Sequence, residues 1–168
     1  KGYFAWGQNP AVGGPNSTVA RKALEKLDWM VAIDLFETET AAFWHRPGVN
    51  PADIQTEVFF LPAAFSYEKE GTVANSSRWF QWRWKAVDPP GDAESDLWIA
   101  DRLMKAIRKE YQSGGKCTAP IFNMTWDYDI PGEEEPDIIK IANEMNGYVV
   151  ADGTILDSFA KLKDDGST

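Results

Sequence analysis

Apolar residues fall along the first third of this chain in three short continuous runs separated by breaks. Tyr3-Phe4-Ala5-Trp6 stops at Gly7, Trp29-Met30-Val31-Ala32-Ile33 stops at Asp34, and Val58-Phe59-Phe60-Leu61 stops at Pro62. Runs of this length, rich in aromatic and β-branched residues, read as strands covered on both faces. Between the first two, Asn9-Pro10 and Gly13-Gly14-Pro15 are expected to forbid regular structure. Asn16, Ser17 or Thr18 then caps a helix whose Val19, Ala20, Ala23, Leu24 and Leu27 share one face. The opening stretch is therefore a βαβ unit. Strands separated by crossovers imply a parallel sheet.

Further along, Phe36 to Trp44 reads as a short helix that His45-Arg46-Pro47-Gly48 ends. Glu68-Lys69-Glu70-Gly71 is a charged turn opening into extended chain. In Arg78 to Lys85 the alternation puts Arg78, Phe80, Trp82 and Trp84 on one face, and Trp79, Gln81, Arg83 and Lys85 on the other. Aromatics interleaved with Arg can stack bases, but the pattern is read here as a strand wedged between two layers. After the Val87 to Asp92 linker, Asp96 caps a helix over Leu97 to Tyr111, with Leu97, Ile99, Ala100, Leu103, Met104, Ile107 and Tyr111 at core spacing. Ala119 to Tyr128 is apolar and irregular. The acidic run before Pro136 starts a helix over Asp137 to Met145. Tyr148 to Val150 and Thr154 to Leu156 are short strands or turn flanks, Phe159 to Leu162 is a final turn, and Lys163 to Gly166 is a solvated end.

The expected fold is α/β, a three-layer, mostly parallel sheet with helices on both faces. It is read as one domain over residues 1–168, with a βαβ core in 1–87 and a helical, irregular part in 93–168. In such a unit, ligands sit beyond the carboxyl ends of the strands. Gly7, Gln8, Asn9 and Pro10 lie there after the first strand, and Asp34 with the segment after it follows the second. Loop N–H groups suit an anion, and a carboxylate past the next strand can accept from a ribose or a base. The plain alternative is a turn and a cap, since the spacing fits neither G-x-G-x-x-G nor the P-loop.

Composition narrows the partners. Charged residues make up 26% and hydrophobic residues 43% of 168 residues, as in globular chains. The net charge of −9 disfavours nucleic acid, whose binding rests on clustered Lys and Arg. One cysteine, Cys117, and one histidine, His45, exclude an internal disulfide and the usual Cys or His metal sites made by this chain alone. No apolar run is long enough to insert in a membrane. The abrupt start at Lys1 suggests a fragment. Ser66 and His45 form no recognisable triad, Glu37 with Glu39 and Glu68 with Glu70 read as solvated loop charges, His45 as a helix-end residue, and Cys117 as a free surface thiol.

An ordered set of short motifs carries a resemblance. Gly7-Gln8-Asn9-Pro10-Ala11, Leu27-Asp28-Trp29-Met30-Val31, Phe36-Glu37-Thr38-Glu39-Thr40-Ala41, Phe59-Phe60-Leu61-Pro62, Glu68-Lys69-Glu70-Gly71-Thr72, Asn75 with Arg78 and Gln81, Trp126-Asp127-Tyr128, Glu144-Met145-Asn146-Gly147-Tyr148 and Lys163-Asp164-Asp165-Gly166 occur in one order. Together they resemble the large catalytic subunit of molybdopterin-dependent formate dehydrogenases, in the dimethyl-sulfoxide-reductase superfamily, over nearly the whole chain.

The resemblance implies an enzyme oxidising formate to carbon dioxide at molybdenum or tungsten held between two molybdopterin guanine dinucleotides. This stretch would cradle one of them. Gly7, Gln8, Asn9 and Pro10 fall on the phosphate- and pterin-facing loop, Asp34 on the acid that reads the guanosine end, and Phe36, Glu37 and Thr38 on the segment lining that pocket. Glu68, Gly71, Thr72 and Asn75 fall on a motif near the cofactor. Implied partners are the remaining domains of the catalytic subunit and an iron–sulfur electron-transfer subunit, and the implied location is periplasmic. The family's metal-binding Cys or selenocysteine, its neighbouring His, its catalytic Arg and its iron–sulfur cysteines have no counterpart here. The chain thus supplies no catalytic residue and no metal ligand, and alone is expected to be inactive. The rival readings are a nitrate- or polysulfide-reductase-like member of the superfamily, and a noncatalytic module docking through its Trp-rich strand.

Overall fold

The computed structural model describes residues 1–74 and 80–156. Strands β1 (Gly2–Trp6), β2 (Trp29–Asp34) and β3 (Glu57–Pro62) form a parallel sheet in the order β1-β2-β3. The three apolar runs thus become adjacent parallel strands, and the chain is α/β as the sequence indicates. The register pairs Trp6 with Ile33 and Ile33 with Leu61, so all three carboxyl ends finish level.

Side chains alternate between the two faces of a strand. Met30 and Ala32 join Ala11, Leu24, Ala41 and Phe43 in a buried cluster, with Tyr3, Leu27, Trp44, Ile54 and Val58 packed against it. On the opposite face Phe4, Trp29 and Phe59 are 45%, 38% and 47% exposed, so this side of the sheet is only partly covered by the described residues. Trp29 lies across Gly2, where an added Cβ would fall 1.9 Å from the indole.

Helix α1 (Pro10–Gly13) is a single turn inside the stretch expected to be irregular. Pro is well suited to a first helical position, where no N–H is needed, and Val12 and Gly13 close the turn on the Asn9 carbonyl at 3.1 and 2.8 Å. Helix α2 (Ser17–Leu24) is capped by Asn16, whose side chain accepts from the Val19 N–H at 3.1 Å. Of its expected core face only Leu24 is buried, and Val19 is exposed. The helix expected over Phe36 to Trp44 is absent. Turns replace it, with one helical bond from the Ala42 N–H to the Thr38 carbonyl, because the polar side chains there bond elsewhere, as shown below.

By its contacts the chain divides into two compact units. The first comprises Lys1–Phe65 with Pro89–Glu94, and the second comprises Ser66–Asp88 with the chain from Ser95 on. In the second, β4 (Gly71–Ala74) pairs antiparallel with β5 (Phe80–Arg83). Phe80 and Trp84 are 58% and 73% exposed, so β5 is one arm of an open ribbon rather than a strand wedged between layers. Arg78 and Trp79 of that stretch, Asn75, and the expected turn and charged end after residue 156 lie outside the described residues.

Helix α3 (Asp96–Tyr111) is capped by Ser95, one residue before the expected Asp96, and buries Ile99, Asp101 and Met104. Helix α4 (Ala119–Asn123) occupies part of the stretch expected to be irregular, and α5 (Ile138–Glu144) is capped by Asp137. An antiparallel bridge joins Tyr148 and Ile155. Among the described residues no helix is long and apolar enough to cross a membrane.

Candidate functional site

The parallel register carries the loop after β1 and the loop after β2 to the same end of the sheet. Gly7 opens the first with φ of +58°, a left-handed conformation that favours glycine, and its N–H donates to the Ile33 carbonyl at 2.8 Å. Gly7 is thereby fixed beside the end of β2, one residue from Asp34.

Four hydrogen bonds then tie the two loops and their flanks together. Asn9 Nδ2 donates to Glu39 Oε2 at 2.7 Å, and Thr40 Oγ1 donates to Asn9 Oδ1 at 2.7 Å. The Ala11 N–H donates to Thr40 Oγ1 at 3.0 Å, and Arg21 Nε donates to the Ala11 carbonyl at 2.9 Å. Thr40 is 1% exposed, so its hydroxyl is a buried group with both its donor and an acceptor site used. The hydrogen bond from Asn9, followed by one from its own backbone N–H, holds the Glu39 carboxyl below its ordinary range, with a smaller contribution from the Arg21 charge.

Two expected contact residues are thus committed within the protein. The Asn9 side chain is engaged at both polar atoms, so it shapes the loop, while the Gln8 and Asn9 N–H groups have no partner among the described residues. Asp34 accepts from the Leu35 N–H at 2.9 Å and from Thr38 Oγ1 at 3.3 Å, which makes it a cap for its own loop with lone pairs remaining. Pro10 starts the short turn of α1. Gln8, Phe36 and Glu37 are exposed and Thr38 is half-buried.

Beside this end lies a cleft of about 420 Å3 lined by Arg21, Phe36, Glu37, Thr38, Glu39, Ala42, His45, Arg46 and Pro47. The structure therefore gathers Phe36, Glu37 and Thr38 into one cleft. Gly7, Gln8, Asn9, Pro10 and Asp34 lie at the same sheet end but do not line it. Arg46 pairs with Glu25, and His45 stacks on Trp44 with ring centroids 5.5 Å apart, in a turn rather than at a helix end. Glu39, Thr40 and Arg21 join the two loops without having been singled out in the sequence as contacts. Glu39 is exposed, as a solvated loop charge should be, and in addition accepts from Asn9.

In the second unit, Glu70 accepts from Trp82 Nε1 at 3.3 Å, and Gly71 and Thr72 line a separate cleft of about 300 Å3 with Val73, Leu97, Ile138 and Ile141. Cys117 is an exposed free thiol. Among the described residues no group of three or more His, Cys, Asp or Glu is placed to hold a metal.

Residues 1–106 match the family described as molybdopterin oxidoreductase. The chain is 42% identical to formate dehydrogenase subunit alpha of Megalodesulfovibrio gigas, over 100% of this chain and 18% of that protein. It is also 42% identical to the major subunit of the nitrate-inducible formate dehydrogenase of Escherichia coli strain K12, over 99% of this chain and 18% of the relative. With the assimilatory nitrate reductase catalytic subunit of Bacillus subtilis strain 168 it shares 36% identity over 73% of this chain. The chain spans about a fifth of the length of the formate dehydrogenase subunits it matches. It belongs to the molybdopterin oxidoreductase family.

Proposed function

We propose that this chain is part of the large subunit of a molybdenum or tungsten formate dehydrogenase, and that its first unit seats one molybdopterin guanine dinucleotide. The observation that carries the reading is the clamp of Asn9 by Glu39 and Thr40, which fixes the loop after β1 against the loop after β2 at the carboxyl ends of parallel strands. Ligands of open α/β sheets bind at such an end.

The residues present suit the group. The N–H groups of Gln8 and Asn9, without partners among the described residues, suit phosphate oxygens, the 67% exposed Phe36 ring offers a face to a base, and Asp34 and Glu37 offer acceptors to ribose hydroxyls or guanine N–H groups. When bound, the cofactor's metal supplies the two-electron redox chemistry, and this unit supplies binding and orientation. Iron–sulfur centres, the electron-transfer subunit and a periplasmic setting belong to the same reading and rest on resemblance alone.

Formate is favoured over nitrate because the similarities to the formate dehydrogenase subunits of Megalodesulfovibrio gigas and Escherichia coli run over essentially the whole chain, whereas the nitrate reductase similarity covers 73% of it, a share like the 64% and 70% of the F420-dependent formate dehydrogenases. The test is made on the full-length protein containing this chain. Purified protein should contain molybdenum or tungsten, release a guanine nucleotide on acid treatment, and reduce an artificial acceptor with formate. Asp34→Ala should lower nucleotide content. Unchanged metal and nucleotide content in that variant would count against the seat, and turnover with nitrate alone would reassign the substrate.

A further inference from the structure

Among the described residues, one cation lining the cleft beside the clamped loops has no ion pair. Three residues with basic side chains line it, Arg21, His45 and Arg46. Arg46 is neutralised by Glu25, and the His45 ring lies on Trp44. Arg21 is different. Its Nε donates to the Ala11 carbonyl at 2.9 Å, yet neither Nη atom has a hydrogen-bond partner or an ion pair among the described residues. Glu39 feels the Arg21 charge but directs its carboxylate to Asn9.

A half-buried guanidinium held through Nε has its plane fixed, leaving a rigid two-pronged donor on its remaining edge. That geometry matches two oxygens of a phosphate, where a lysine would offer only a point charge. The chain's net charge of −9 makes such a donor valuable, because a diphosphate approaching this surface meets repulsion unless a local cation offsets it.

We infer that Arg21 is a phosphate-contacting residue, its two Nη groups donating to the diphosphate of the nucleotide bound at this cleft. The inference rests on the nucleotide reading above and deepens it by naming a contact outside both loops. Phe36 and Glu37, on the same cleft, are placed to serve the base. Arg21 also reaches the clamped loop through Ala11, so it senses the ligand and the loop at once.

The experiment uses the full-length protein prepared without cofactor, titrated calorimetrically with GDP, guanosine and inorganic pyrophosphate. Wild type should bind GDP more tightly than guanosine, with pyrophosphate competing against GDP. Arg21→Gln should weaken GDP about tenfold or more and leave guanosine unchanged. Arg21→Lys, which keeps the charge and loses the fork, should fall between the two and lose most of the pyrophosphate competition. Arg21→Gln binding GDP like wild type would overturn the contact, and so would equal weakening of GDP and guanosine, which would mean that Arg21 acts only by supporting the Ala11 turn. Should Arg21→Gln fail to fold, Arg21→Lys with an unchanged GDP-to-guanosine ratio would overturn it as well. Wild type binding neither GDP nor guanosine would overturn the nucleotide reading itself, a result distinct from loss in the variants alone.

Discussion

Thr40 in the first unit and Asp101 in the second are polar side chains buried to 1% and 2% exposure, and they hold their surroundings by different means. Thr40 is neutral and joins partners 29 and 31 residues away, Ala11 and Asn9. Asp101 is charged. It accepts from Trp126 Nε1 at 2.8 Å and pairs with Lys105 at 2.7 Å, while Lys105 also pairs with Asp129. Nearby, Tyr128 donates to Glu144 at 2.7 Å, and Lys140 pairs with Asp127 at 3.0 Å. The first unit thus centres its candidate site on a neutral buried hydroxyl with Glu39 and Arg21 bonded around it, and the second ties its helices together through a buried carboxylate and other ionisable groups. The two should respond differently to substitution and to pH.

The largest effect belongs to the core beneath the clamp. Met30→Ala empties a fully buried position and should cost about 2–5 kcal/mol in denaturant unfolding, while leaving any transition of the second unit in place. A single transition shifting as a whole would break the contrast. Thr40→Val is next. It strands the Ala11 N–H and Asn9 Oδ1, which should cost about 1–3 kcal/mol and raise the rate at which the full-length protein loses the nucleotide proposed to bind there.

Alkali should act on the second unit. Burial, followed by the hydrogen bond to Glu144, pushes the Tyr128 phenol up to about 12, and contacts with Asp101 and Asp129 raise Lys105. Both folded values lie above their ordinary ones, so the stability they contribute is fully present below about pH 10 and is lost as pH rises toward 12. Tyr128→Phe should flatten that loss, measured as the difference in Tm between pH 9 and pH 11.5. Glu39 has the opposite sign: its lowered carboxyl contributes stability above its ordinary value of 4.5 and loses it as pH falls. The smallest effect is Lys140→Ala, an exposed pair that should change stability by no more than about 1 kcal/mol and less in high salt.

The legible parts of the fold were those written locally. Continuous apolar runs announced the three parallel strands, and of the three cap candidates Asn16, Ser17 and Thr18 the fold uses Asn16, while Asp137, read as the first residue of its helix, is the cap. Ser95 and Asp96 are both good caps, and only the fold decides which serves. The turn at Pro10 was missed because proline was read as a breaker where it is a starter. The helix expected over Phe36 to Trp44 failed because Asp34, Glu39 and Thr40 spend their side chains on caps and on residues about 30 positions away, and no local period records that. The places of Gly7 and Asp34 at strand ends were legible, and the fold puts them there. The bond from Arg21 to Ala11 was illegible for the converse reason: on a helix Arg21 looks like an ordinary surface cation.

The knot of Asn9, Glu39 and Thr40 bears on how a guest would be received. Loops joined through a buried hydroxyl are ordered when the chain folds, so little conformational entropy is left to lose on association. Occupation should then proceed by near-rigid docking, with a heat-capacity change set by the surface the guest covers rather than by any refolding of its seat.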